Sequence, residues 1–325
     1  MLILNQNEVK KLITMKEAID INEDVYISFS TGESTVPLRT NMELDTTEHY
    51  SLIMPSFLND MGGLGVKVVT IFPENVEKGI PATQAVIMLF DTNNGVPIAL
   101  LDGTYITGLR TGSGTGVATN HLAHKDASTL AIIGTGGMAP GQLEAVAAVR
   151  DIKKVYVYNR TKQKAEKFIK DMQGIYVNMN FELKETPKEA LEDAEIVVTT
   201  TATDKPIVKY EWLKSGAHVN AIGSFNKYIQ EVDEELMKKA AIRTVDGIDA
   251  TSVTGDIAIP LEKNIIKRED LIEIGTFIHE GMKARNKDSD ITFFKSVGLS
   301  SQDIAVAVKI LEKAKEKGIG QEVKL

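Results

Sequence analysis

Hydrophobic and polar positions follow three different rhythms along this chain. Over residues 15–29 (MKEAIDINEDVYISF) Ala18, Ile21, Val25 and Phe29 recur near helical spacing, which predicts a helix. Thr14 with Glu17 supplies a capping-box start for it, and Gly32 a C-terminal stop. Strand-like segments follow around 35–44, 49–54, 63–72, 84–91 and 96–102. Turn-forming clusters such as DTNNGVP separate them, which predicts a mostly antiparallel β block. Residues 104–122 (TYITGLRTGSGTGVATNHL) fit neither rhythm. With Gly108, Gly112, Gly114 and Gly116 inside it, a helix there forgoes roughly 1 kcal/mol per interior glycine relative to alanine. A tightly packed helix, a ligand-facing segment and a flexible linker all remain compatible with that composition.

From residue 128 short apolar runs alternate with helical stretches. Strands are expected at TLAIIG, at 155–159, more weakly at 175–181, and at 195–201, 218–224 and 242–246, with helices at 139–150 and 161–172. Such alternation predicts a parallel sheet covered on both faces. Two more helices are expected at 268–282 and 300–317, the latter capped by Ser300 with Asp303 and stopped at Gly318.

Composition narrows the function classes. The 325 residues are 43% hydrophobic and 25% charged, which suits a soluble globular chain of about two domains. The longest strand-sized apolar run, AVIMLF at 85–90, is far short of a membrane helix, and the start MLILNQNEVKK turns polar too soon for a signal-peptide core. A net charge of −8 without a basic tract argues against a nucleic-acid partner. With no cysteine, thiolate chemistry and Cys-ligated metals are excluded, and a reducing cytoplasmic location is the natural expectation. His49, His121, His124, His218 and His279 show no metal-ligand spacing, so no metal is expected.

Chemistry enters at residues 130–141, LAIIGTGGMAPG. Gly134-x-Gly136-x-x-Ala139 lies directly after a strand and before a helix, the context a dinucleotide fingerprint requires. Gly134 permits the tight turn, Gly136 admits the pyrophosphate, and Ala139 keeps the helix close to the sheet. The phosphates would rest on the unpaired N–H groups of the helix start. The next strand ends in Asn159-Arg160-Thr161, without the acid that accepts from an NAD ribose. Arg160 can instead pair with a 2′-phosphate, aided by Thr161, which favours NADP(H) while leaving NAD(H) possible. A merely solvated Arg160 at the helix start is the competing reading.

TGLRTGSGTGVAT (107–119), IGTGGMAPGQLEAV (133–146), VNAIGSFNKYIQEVDEEL (219–236) and ITFFKSVGLSSQDIAVA (291–307) resemble the ornithine cyclodeaminase/mu-crystallin family. PLRT and GVKVV in the first block also fit, so the resemblance spans nearly the whole chain. It implies an α/β fold: a Rossmann-type doubly wound parallel sheet plus an α+β substrate and dimerisation domain built from both chain termini. The implied domains are 1–116 with 300–325, and 117–299; the return crossing comes from the resemblance alone. A homodimer through the first block is likewise implied.

By the same resemblance, Arg39, Lys67 and Arg110 hold a substrate carboxylate, with Lys67 the best candidate for a catalytic proton donor. Alternation along GVKVV only sends Lys67 to the face opposite Val66 and Val68, where an ordinary exposed lysine would look the same. Thr83, Arg110, Gly137, Met138, Thr200, Thr201, Gly223 and Ser296 match or adjoin cofactor contacts, joining Gly134, Gly136, Ala139, Asn159, Arg160 and Thr161. Met138 departs from the family's usual glutamine. Val297 adjoins the substrate, as does Phe225, which stands where cyclodeaminases carry an aspartate; Leu52 stands near the place of their glutamate. Without those acids a diamine such as ornithine loses its partners, since a buried unpaired ammonium costs several kcal/mol. The implied activity is NADPH-dependent reduction of a small, cyclic imine 2-carboxylate to an amino acid. The alternatives are an alanine-type dehydrogenase and a mu-crystallin-like NADP(H)-binding protein without turnover.

Overall fold

A computed structural model describes residues 1–44 and 49–324. The chain divides into two compact units, Met1–Arg110 with Gly298–Leu325, and Thr111–Val297. The family resemblance implies divisions at 116/117 and 299/300.

Unit 1 opens with β1 (Leu2–Leu4) and the helix Met15–Thr31. Thr14 and Glu17 exchange the two capping-box hydrogen bonds, and Gly32 ends the helix in the left-handed region at φ 81°. The sheet continues with β2 (Ser34–Thr35), β3 (Thr40–Glu43), β4 (Tyr50–Leu58), β5 (Gly63–Ile71), β6 (Thr83–Phe90) and β7 (Pro97–Asp102). Strands β4 to β7 form an antiparallel meander, whereas β1 joins β7 in parallel. Side-chain alternation splits the meander into two faces. Met54, Lys67, Ile87 and Leu101 point into the interior; Ile53, Val68 and Val86 lie on the other face, more than a third exposed.

The glycine-rich segment is a helix, Gly103–Leu122, and not a linker. Burial of Ile106, Leu109, Val117 and Ala118 offsets its poor intrinsic propensity. Arg150 finishes it, donating to the carbonyls of Thr119 (2.8 Å), Asn120 (3.0 Å) and Ala123 (3.0 Å), a cation where the helix dipole is negative.

Unit 2 is a Rossmann-type sheet of eight parallel strands: β8 (Thr129–Ile133), β9 (Lys154–Tyr158), β10 (Asn180–Leu183), β11 (Ile196–Thr199), β12 (His218–Ala221), β13 (Ile242–Val245), β14 (Ile272–Glu273) and β15 (Thr292–Lys295). Their order is β10-β9-β8-β11-β12-β15-β13-β14, which reverses between β8 and β11. Parallel α/β sheets bind ligands at such a reversal, beyond the carboxyl ends of the strands. Apolar clusters cover both faces, one around Leu130, Val155 and Val198, the other around Ala131, Val197 and Phe293.

Two expectations need correction here. The strand placed at 175–181 is β10, at 180–183. Ile175 and Tyr176 instead donate to the Met172 carbonyl as the preceding helix unwinds, leaving Ile175 and Val177 exposed. The single helix at 268–282 is a 3₁₀ turn (Arg268–Asp270), β14 and a short helix (Ile274–His279). Pairing of β14 with β13 wins over helical propensity in between.

The chain then returns to unit 1 through the helix Ser300–Lys317 and the final strand β16 (Gln321–Glu322), which pairs antiparallel with β1. The helix packs on Met15–Thr31 and on β4 to β6, burying Ile304, Ala307 and Leu311. Its cap differs from the expected Ser300–Asp303 pair. Leu299 is the N-cap, and its N–H donates to the Gln302 side chain at 2.9 Å. The Ser300 hydroxyl donates to the Pro55 carbonyl at 2.7 Å, leaving Asp303 for another role. Gly298 takes φ 79°, and a Cβ there would collide with the Arg110 guanidinium. Gly298→Ala should therefore destabilise unit 1 by about 1–3 kcal/mol, through left-handed strain and the displaced arginine. Denaturant unfolding measures this; unchanged stability would refute it.

Candidate active site

Asp303 lies in the first turn of its helix and faces β5, fully buried. Lys67, on the interior face of β5 and 1% exposed, donates to one carboxylate oxygen at 2.7 Å. Arg110 donates through Nε to the other oxygen at 3.0 Å. Arg39 reaches the same region from the segment before β3, donating to the Gly298 carbonyl at 2.9 Å. The structure thus gathers Arg39, Lys67 and Arg110 around Gly298 and Asp303. Thr83 begins β6 opposite Ile71, half-buried.

Electrostatics make this cluster receptive to an anion. Burial pushes the Lys67 amine down to about 7, and the positive charges of Arg110 and Arg39 act the same way against the pull of Asp303. Arg110 and Arg39 thus add positive charge beside the buried Lys67–Asp303 pair. An Arg–carboxylate pair there would fix the orientation of a small carboxylate.

Unit 2 presents a second constellation along the carboxyl ends of its strands. Gly134 follows β8 at φ 92°; its N–H donates to the Tyr158 carbonyl at 2.8 Å, and its carbonyl accepts from the Thr200 hydroxyl at 2.9 Å. A Cβ there would press on Thr200 and Thr201, so only glycine fits. At Gly136 and Gly137 the space a Cβ would take is open. The following helix, Ala139–Val149, starts after Met138 with no side-chain cap and no acid in its first turn. That bare helix start, open at its glycines and beside the strand-order reversal, fits a dinucleotide pyrophosphate.

The neighbouring positions are arranged around it. Asn159 accepts from the Thr135 N–H at 3.2 Å and donates to the Thr161 carbonyl at 2.9 Å, while Arg160 is exposed. Beyond β11 and β12, Thr201 and Gly223 are drawn together by hydrogen bonds to one carboxylate, that of Glu231. Ser296 and Val297 both donate to Asp246 at 2.8 Å, through hydroxyl and N–H. Phe225 lies two residues past Gly223 and is 45% exposed.

The acids Asp303 and Asp246 are absent from the expected site. Asp303 was legible only as part of a capping pattern, because its partner Lys67 is 236 residues away. Asp246 carried a weak signal: a charged residue closing the buried strand IRTV.

Comparison with known proteins identifies the family. The ornithine cyclodeaminase/mu-crystallin family pattern matches residues 1–318. A Δ1-pyrroline-2-carboxylate reductase of Bacillus cereus is 40% identical over 332 residues, covering 99% of each chain. The Thermococcus litoralis Δ1-pyrroline-2-carboxylate reductase, solved with NADH and L-proline, superposes with a TM-score of 0.95 at 38% identity, over 99% of this chain and 100% of that one. An archaeal alanine dehydrogenase dimer with bound NAD gives 0.92 at 36% identity, over 100% and 99%. The chain belongs to the ornithine cyclodeaminase/mu-crystallin family.

Proposed function

We propose that this chain reduces a small imine 2-carboxylate of the Δ1-pyrroline-2-carboxylate type to the amino acid. It is an NAD(P)-dependent oxidoreductase acting on carbon–nitrogen bonds. The observation that carries the substrate reading is the cluster of Arg39, Lys67 and Arg110 beside buried Asp303. The relatives named pyrroline-2-carboxylate reductases, one of them solved with L-proline, support it.

In this reading Arg39, Lys67 and Arg110 bind the substrate carboxylate and so orient the adjacent C=N bond. Gly134, Gly136, Gly137, Met138 and Ala139 hold the cofactor's pyrophosphate. Thr200, Thr201, Gly223 and Ser296 line the cofactor's path along the strand ends. A nicotinamide cofactor, when bound there, would supply the hydride that the imine carbon needs. Lys67 in its ammonium form holds the proton that an unprotonated imine nitrogen needs. Fixing the acceptor in line converts a chance encounter into a positioned one. Phe225 and Val297 pack against an apolar ring or chain, and Leu52 and Phe225 offer no carboxylate to a distal ammonium, so a diamine is a poor substrate. Asn159, Arg160 and Thr161 receive a 2′-phosphate, which makes NADP(H) the preferred cofactor and NAD(H) the weaker one. Both ligands are soluble metabolites, in keeping with action in the cytoplasm.

The apolar face of unit 1 supports a homodimer. Ile53, Val68 and Val86 align across β4, β5 and β6, and Pro55, Val66 and Met88 form the next row. Such a contiguous exposed apolar surface marks an interaction site. The archaeal alanine dehydrogenase of similar structure is itself a dimer. Light scattering should return twice the chain's 35.6 kDa, and a monomer at micromolar concentration would refute this face as the interface.

Steady-state kinetics with Δ1-pyrroline-2-carboxylate test the rest. Lys67→Ala and Arg110→Ala should each lower kcat/KM at least tenfold, on the order of 1.4 kcal/mol or more. With Lys67 near 7 in the free enzyme, kcat/KM should fall as pH rises through about 7 and the ammonium is lost. Lys67→Arg, charged throughout, should lack that limb, and the substrate's own titration will be common to both proteins. NADPH should outperform NADH, with Arg160→Ala erasing the preference. Unchanged kinetics in both alanine variants, or turnover of pyruvate plus ammonium in preference to the cyclic imine, would overturn the assignment.

A further inference from the structure

We propose that Glu231 is the positioning residue for the dinucleotide, because its carboxylate ties the loop after β11 to the loop after β12. The inference rests on the reading that the strand ends of unit 2 hold the cofactor. One oxygen accepts from the Thr201 N–H at 2.6 Å and the Thr201 hydroxyl at 2.7 Å. The other accepts from the N–H groups of Gly223 at 2.6 Å and Ser224 at 3.1 Å. Four donors on one side chain fill the acceptor capacity of an ionised carboxylate. Neighbouring Thr200 extends the tie to the fingerprint turn, through its hydroxyl on the Gly134 carbonyl at 2.9 Å.

Glu231 is itself fixed at the backbone. Its N–H and that of Val232 donate to one oxygen of Asp256, at 2.7 and 3.1 Å, and its carbonyl accepts from Ile207 and Val208, each at 2.9 Å. The charged groups facing it are Asp256 and Lys295, an ion pair at 3.2 Å with both partners fully buried. A fixed side chain with all four donors directed at it sets the positions of two loops and touches no ligand itself. Glutamine in its place has only one acceptor oxygen and turns an amide N–H₂ toward donors, so the loops lose their common anchor. Burial and the negative charge of Asp256 raise the Glu231 pKa, against the opposing pull of Lys295 and the hydrogen bonds. Protonation on acidification therefore loosens the same anchor.

Equilibrium binding of NADH, followed by its fluorescence, tests this without turnover. Wild-type protein should lose at least fivefold in affinity on acidification from pH 8. Glu231→Gln should bind at least fivefold more weakly at pH 8 and show no further loss on acidification. Asp256→Asn keeps an acceptor for the two N–H groups but removes the charge that raises the glutamate, so the loss should move to lower pH. This variant and the wild-type profile decide the matter even if Glu231→Gln does not fold. A wild-type affinity independent of pH, a Glu231→Gln affinity within twofold of wild type, or a pH response that survives in that variant would overturn the inference alone. Failure of the wild type to bind NADH or NADPH at any pH would overturn the cofactor reading with it.

Discussion

The shared carboxylate of Asp303 is the interaction on which the candidate site depends. Burying a lysine and an arginine without a counter-charge costs several kcal/mol per ion, and one carboxylate answers both. Its two oxygens divide the work, Lys67 on one and Arg110 on the other. Three elements of unit 1 are fixed by it: β5, the start of the glycine-rich helix and the returning C-terminal helix. Gly298 adds the steric half of the constraint, since only a glycine leaves the Arg110 guanidinium its place. Arg39 stands nearby as well, and its charge acts on Lys67 in the same direction as that of Arg110.

Unit 2 solves the opposite problem with the same chemistry. Its strand ends must present backbone N–H groups and open space to an anionic cofactor, so no acid stands at the start of the helix Ala139–Val149. The acids are set deeper, where they organise loops and do not compete for the ligand. Asp246 gathers Ser296 and Val297, Asp256 braces the backbone at 231–232, and Lys295 compensates Asp256. Negative charge is thus absent from the first turn of that helix and used as scaffold deeper in the unit.

Local chemistry made much of this legible. Thr14 and Glu17 cap their helix as read, and the Gly134-x-Gly136-x-x-Ala139 run sits between β8 and its helix, because each depends on neighbours a few residues away. Features set by distant partners were not legible. Ser300 and Asp303 mimic a capping box, yet their partners are Pro55 and Lys67, which no local pattern brings near. The segment 268–282 has helical composition, and only the pairing of β14 with β13 makes it a strand. Lys67 alternates out of line with Val66 and Val68, but alternation cannot tell an interior face from a wet one. That distinction came from the packing of Ser300–Lys317 across the sheet.

A crystal structure with NADPH and the unreactive analogue pyrrole-2-carboxylate tests whether this cation cluster receives a substrate carboxylate. The analogue's carboxylate is expected within hydrogen-bond distance of Lys67, Arg110 and Arg39, with Asp303 still holding the first two. A carboxylate bound elsewhere, with all three cations untouched by ligand, would contradict it.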